Sequence, residues 1–390
     1  MNRDSNTVVG LTTLMLLAMA VSTMTSHALG ILANFLIDEF SITRAELGAV
    51  IAVSSAIGAV VAIPSGRVVD LIGAKRSLLV VFALSALSFF LYAVAGNMVV
   101  MYVASAIAAV PLSSANSATN KTIALHVARR RRGIVTGVKQ SGVSLALFLS
   151  GVALPPVALR LGWRAALAIV GALTMLALLW TGFVVPSRSE DHRARTSGSG
   201  GVRLDPGLVA LTLFAFLLGF ANSSVAFLPL YAQEVLDLSP VLGGVAAGLA
   251  GFAAVVGRVV WARLADRSGE FEKNLQRQAT AGVLAFGLIL SAPYGIGAWQ
   301  LAAGALLMGF TTSSWNSVGM LAVISRAGSS QAGRQSGVLM FGFMAGLGIG
   351  PPIQGWSVDL TGNYVVLWSM SMILALIGSL IMTAQVREEE

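Results

Sequence analysis

One stretch of this chain is written twice, and that repeat limits the possible folds more than any composition figure. Gly66-Arg67-Val68-Val69-Asp70-Leu71-Ile72-Gly73-Ala74-Lys75-Arg76 returns as Ala262-Arg263-Leu264-Ala265-Asp266-Arg267-Ser268-Gly269; Asp266 lies 196 positions after Asp70, and Arg263, Gly269 and Gly244 lie 196 after Arg67, Gly73 and Gly48. A second register runs at 200: Ser113-Ser114-Ala115-Asn116-Ser117 matches Ser313-Ser314-Trp315-Asn316-Ser317, and Gly133, Gly137, Gly142 and Gly162 match Gly333, Gly337, Gly342 and Gly362. A unit has been duplicated. Both copies sit among hydrophobic stretches of about 20 residues, the length of helix that crosses about 30 Å of hydrocarbon.

The chain is 56% hydrophobic and 11% charged, whereas soluble domains are about a quarter charged. An all-α integral membrane fold follows. We count about twelve transmembrane helices, from Val8 to Ile37 at the start, through Gln276 to Pro293, Ala298 to Ser325 and Gly333 to Trp356, to Tyr364 to Val386. Residues 1–185 and 207–390 form two pseudo-symmetric six-helix bundles. Between them, 186–206 includes Thr196-Ser197-Gly198-Ser199-Gly200-Gly201 and reads as a flexible cytoplasmic linker. The first span follows Asn2-Arg3-Asp4 and exceeds a signal-peptide core, so it reads as retained.

The formal charge of +8 would suit nucleic acid if it were clustered on a soluble surface. Here it is a topology signal. Arg67, Lys75, Arg76, Arg129 to Arg132, Arg263 and Arg267 fall in loops on one side, while the other side holds Arg44, Arg160 and Arg164, so both termini are expected in the cytoplasm, at a bacterial inner membrane. The run Arg129 to Arg132 reads as a cytoplasmic anchor for the flanking helices. The chain has no cysteine and three histidines, which excludes disulfides and thiolate metal sites. It also lacks a Gly-rich phosphate loop and a metal-ligand cluster, so no enzyme, cofactor or metal is expected.

At its two Gly/Ala-x-x-x-Asp-x-x-Gly turns the chain resembles the major facilitator superfamily, over its full length. The resemblance implies a secondary transporter that alternates access around a central site, as two halves of repeated helices also suggest. It further implies a conformational latch, in which the aspartate pairs with cytoplasmic arginines and holds the two bundles in one state; Gly66, Asp70, Gly73, Arg76, Asp266 and Arg267 match those positions. Ala262 replaces the first glycine in the second copy.

Ionisable residues inside a span cost several kcal/mol on insertion scales and therefore point to function. Arg258, in Gly257-Arg258-Val259-Val260-Trp261, precedes Asp266 by eight residues, about 12 Å of helix, which places it inside the eighth span. There it resembles the anion-binding arginine of the monocarboxylate and oxalate porter branches. Those monocarboxylate porters carry an aspartate one turn earlier; here that position is Ala254. An arginine without its acid is suited to a substrate carboxylate, which it can meet bidentately. Lys139, whose repeat partner is Leu339, is a second positive candidate from the other half. Asn116 and Asn316 occupy equivalent places and suit helix packing as well as binding; Trp315 breaks the symmetry and suits a cavity wall. His27, a possible proton relay, and Asn34 and Asn222 complete the candidate substrate-binding set.

Asp38, Glu39, Glu234, Asp237 and Asp359 all fall at helix ends or in outer loops, which leaves no buried acid for a cationic drug. The preferred reading is a monomeric transporter of a small organic anion, a carboxylate, coupled to a proton or to a counter-anion. Two alternatives stand: efflux of drugs or metabolites by proton antiport, and a non-transporting membrane receptor.

Overall fold

The computed structural model describes residues 2–128, 131–185 and 205–389. Most of the linker, and Arg129 and Arg130 of the basic run, lie outside them. Among the described residues all regular structure is helical: α1 (Asn2–Ile31), α2 (Ala33–Phe40), α3 (Arg44–Ile72), α4 (Ala74–Ala93), α5 (Met98–His126), α6 (Arg132–Leu161) and α7 (Trp163–Val184) before the linker, then α8 (Pro206–Ser223), α9 (Leu228–Leu236), α10 (Pro240–Ser268), α11 (Phe271–Leu290), α12 (Ala298–Phe310), α13 (Asn316–Thr361) and α14 (Val365–Glu389).

Local chemistry sets many of the ends. Thr43 opens α3 with a reciprocal capping box to Glu46, and Asp205 and Ser239 accept hydrogen bonds from Leu208 and Leu242 where proline starts α8 and α10; each cap satisfies an amide that has no partner within its helix. The duplicated turn closes on glycine in both copies, with φ of 87° at Gly73 and 71° at Gly269, a region costly for any residue with a Cβ.

Among the described residues, ten helical stretches are long and apolar enough to span a membrane. The two expected spans outside that set have identifiable causes. The ninth, α11, begins with Glu272, Lys273 and Arg277. The tenth is interrupted: α12 stops at Phe310, Thr311 takes φ −108° and ψ −85°, and a short 3₁₀ turn covers Thr312–Ser314. The seventh span breaks the same way, through a 3₁₀ turn at Ser224–Phe227 between α8 and α9, and the first breaks at Leu32. The 46-residue α13 would be roughly 69 Å long if straight. Instead it doubles back, because the Phe343 ring lies 5.2 Å from that of Trp315 and the Leu339 side chain reaches the space beside Gly319. Its first arm completes the expected tenth span, begun by α12, and its second is the eleventh.

Helices α1 and α3–α7 pack on one another, as do α8–α14, and α3 crosses α13 while α6 crosses α10 between the two groups. Glycine makes these crossings close. A Cβ on Gly48 would strike the carbonyl of Pro351, and one on Gly244 the carbonyl of Gly151; on Gly251 it would lie 2.6 Å from the amide nitrogen of Phe148. As α10 advances, its partners on α6 recede, so the two helices run antiparallel. Within the second group, Gly342, Gly346 and Gly350 recur every fourth residue of α13 and meet Thr212, Phe216 and Ser223 of α8, a small-residue seam of the kind that lets membrane helices approach. Gly346→Leu would place a side chain 2.7 Å from the Phe220 amide nitrogen, backbone that cannot step aside. Overpacking of this kind costs about 1–3 kcal/mol or more, so the variant is expected to lose monodisperse protein in fluorescence-detected size exclusion, whereas Gly337→Leu, with nothing within 4 Å of its Cβ position, is expected to elute like the parent.

Candidate functional site

The antiparallel crossing of α6 and α10 carries Arg258 to the middle of the molecule, where its Nη1 donates across the seam to the backbone carbonyl of Gln140 at 3.0 Å. Beside it lies a cavity of about 230 Å³ lined from both groups of helices. Its polar lining includes His27 on α1, Asn116 on α5, Gln140 on α6, and Asn222, Arg258, Ser313 and Asn316 from the second group, together with the hydroxyls of Thr23, Ser26, Ser55, Ser144 and Ser223. Among the lining residues none is acidic. The Arg258 Nε is buried without a hydrogen-bond partner, as is the Asn316 Oδ1. Neither fits a finished structural network, since buried polar atoms are nearly always paired.

His27, Asn116, Asn222, Arg258, Trp315 and Asn316 all contribute to the lining. Lys139 stands one layer behind: it is 1% exposed, and its ammonium donates to Asn116 Oδ1 at 2.7 Å, Thr119 Oγ1 at 2.9 Å and Asn120 Oδ1 at 2.6 Å. An ammonium has three donors, so Lys139 presents none to the cavity and acts on it by orienting Asn116. Leu339 takes its place in the second half, which fits with the Asn316 oxygen having no donor. Asn34 is also outside the lining; its amide donates to Gln233 at 2.7 Å, which joins α2 to α9. Asn222 uses its amide on the break in the tenth span: Nδ2 donates to the Thr312 carbonyl at 2.8 Å, while Oδ1 accepts from the hydroxyls of Thr312 and Ser313, each at 3.0 Å. Broken backbone at membrane depth survives when it lines a cavity and is re-satisfied from neighbours. Trp315, seated by this break, is 1% exposed and meets Phe214 edge-on at 6.1 Å.

The duplicated turns do not pair with each other here. Asp70 lies 3.6 Å from Lys121 of the same helix group, and that lysine also donates to the carbonyls of Val69 and Asp70. Arg76, Asp266 and Arg267 are exposed, and the space around a Gly66 Cβ is empty to 4 Å. A bridge stands at the opposite face instead. Arg44, at the start of α3, grips both carboxylate oxygens of Glu234 at 2.6 and 2.7 Å. Asp359 in turn accepts from the backbone amides of Arg44 and Ala45 at 3.2 and 2.8 Å, a carboxylate at a helix N-terminus, where the dipole favours it. Tyr364 donates to Glu234 at 2.8 Å; burial and the neighbouring carboxylate push its hydroxyl well above the usual range, so it stays a donor. Arg44, Glu234 and Asp359, on the face opposite the duplicated turns, look like ordinary loop residues in the sequence and form a clasp between the two groups of helices. Their signal was the scarcity of basic residues on that side.

The sequence profile of the Major Facilitator Superfamily matches residues 14–346. Among solved structures, a point mutant of the nucleoside transporter NupG superposes with a TM-score of 0.77 at 14% identity, covering 96% of this chain and 99% of its own. A bacterial homologue of the human lysosomal transporter Spinster, in an inward-facing and occupied conformation, gives 0.72 at 16% identity, with 98% and 97% covered. No curated protein matches the chain.

Proposed function

Because the chain belongs to the Major Facilitator Superfamily, a family of membrane transporters, we propose that it carries a small organic anion, a carboxylate, with Arg258 as the group that receives it. The single observation behind this reading is the unpartnered Arg258 Nε beside a cavity without an acidic residue. An arginine at membrane depth is retained against its insertion cost when it has work to do, and a carboxylate would supply the missing acceptor. Asn116, oriented by Lys139, and Asn316 would complete the polar contacts. The cavity volume, about 230 Å³, is below the roughly 300–1,000 Å³ of sites for drug-sized ligands and favours a compact solute over bulky efflux substrates.

Alternation would follow from exchanging two sets of contacts. With the Arg44 clasp made, the face opposite the linker would be closed; in the other state Asp70 and Asp266 would latch the linker face, for which the excess of arginine supports a cytoplasmic location. Return of the carrier would be coupled either through His27 or through a counter-anion. Anion uptake driven by an imposed pH gradient and lost in His27→Gln assigns the first, uptake so driven that survives the substitution assigns protonation of the substrate itself, and counterflow indifferent to pH assigns the counter-anion.

The test is thermal stabilisation of the purified protein in detergent by matched panels of small carboxylates and lipophilic cations. Ligand binding to the folded state raises stability by mass action, about 2.7 kcal/mol at a hundred times Kd. Carboxylates are expected to raise the melting temperature and cations to leave it in place; a response to cations alone would replace anion transport with drug efflux.

A further inference from the structure

The cavity has a second side that the anion reading leaves unused. Met340, Phe343, Met344 and Leu347 all line it from one stripe of α13, at the i, i+3, i+4 and i+7 spacing that defines a single helix face. The stripe is held in place: Gly342, Gly346 and Gly350, on the adjoining strip of the same helix, are pressed against α8, so α13 cannot rotate to offer other residues. Phe343 is fixed further by Trp315, 5.2 Å away with the rings tilted at 50°. Met19 closes the same space from α1. Three methionines and two aromatic rings around one small volume form a surface suited to another flat ring, since thioether sulfur and ring edges both interact favourably with aromatic faces.

Charge limits the ligand from the other side. Arg258 is the one fixed cation in the lining, and the three donors of Lys139 are spent on Asn116, Thr119 and Asn120. A dianion would therefore bring a second charge with no cationic partner, and the part of any acid that lies along the methionine stripe meets no hydrogen-bonding group there, so a hydroxyl placed on that side goes unpaired at a cost. We infer that the substrate is an aromatic monocarboxylate, its carboxylate on Arg258 and its ring against the Met340–Leu347 stripe of α13. This rests on Arg258 being the anion site, and it adds the shape and single charge of the rest of the molecule.

Benzoate is the probe. Its affinity for the full-length protein, from thermal stabilisation and calorimetry, is expected to exceed that of acetate, gluconate and phthalate at least tenfold. Arg258→Gln is expected to remove benzoate binding. Met344→Gln, which keeps side-chain length while adding polarity, is expected to weaken benzoate more than acetate and so narrow their ratio. Acetate or gluconate binding as tightly as benzoate, with Arg258 still required, would overturn the aromatic assignment while the anion site stands. Benzoate binding that survives Arg258→Gln, or no carboxylate binding at all, would overturn both.

Discussion

Arg258→Gln is expected to cost at least about 30-fold in carboxylate affinity while the protein still folds. Removing one partner of a desolvated charge pair costs about 2–5 kcal/mol, and each 1.4 kcal/mol is tenfold in Kd. The reason to expect an effect at the upper end is that no other charged donor lines the cavity and Lys139 is fully engaged behind it. The fold should survive because the guanidinium contributes a single seam bond, to the Gln140 carbonyl, and a charge at membrane depth is itself unfavourable. Arg258→Lys should retain part of the affinity, with the charge but without the bidentate fork. Isothermal titration of the three proteins, each first checked for its elution profile, measures this; equal affinities in wild type and Arg258→Gln would remove Arg258 from the site.

Arg44→Gln and Asp70→Asn are expected to move the conformational equilibrium in opposite directions. Arg44 holds Glu234 and Asp359 across the bundles with less than a third of each side chain exposed. Losing it strands two carboxylates facing each other and should favour opening of that face by about 1–3 kcal/mol, or roughly 5- to 150-fold in the population ratio. Asp70 contributes to this state only through an exposed contact to Lys121, worth about 0–1 kcal/mol. Its removal should penalise the alternative state, in which it would latch, and deepen the present one. Cysteine labelling at one site on each face reads both shifts, and the absence of native cysteines makes the labels specific. Shifts of the same sign would contradict a two-latch exchange.

The bundle architecture was legible because hydrophobic length and internal repetition are local properties of sequence. The breaks were not. Pro111 marks the obvious weak point of the fourth span, since proline inside a helix removes a hydrogen bond and crowds the preceding turn, yet α5 runs through it. Thr311, its counterpart 200 positions later, carries no such mark and is where the tenth span breaks, because Asn222, from a helix some 90 residues earlier, takes up the Thr312 carbonyl and both hydroxyls. A tertiary partner decided what propensity did not. The same holds for the cavity. Arg258, His27, Asn116 and Asn316 stand out in a sequence because polar groups are scarce in apolar spans. Met340, Phe343, Met344 and Leu347 look like any other lipid-facing or core residues until the glycine ridge beside them fixes which way α13 faces. Lys139 illustrates the reverse case: a charge in a span invites a substrate-binding role, and three oxygens on one neighbouring helix engage its ammonium.

The most direct measurement is counterflow in proteoliposomes: vesicles preloaded with unlabelled benzoate, diluted into labelled benzoate, with wild type and Arg258→Gln in parallel. Transient accumulation of label in the wild type and its absence in the variant is the expected result. Accumulation of the same height in both proteins would contradict a carrier built around an anion on Arg258.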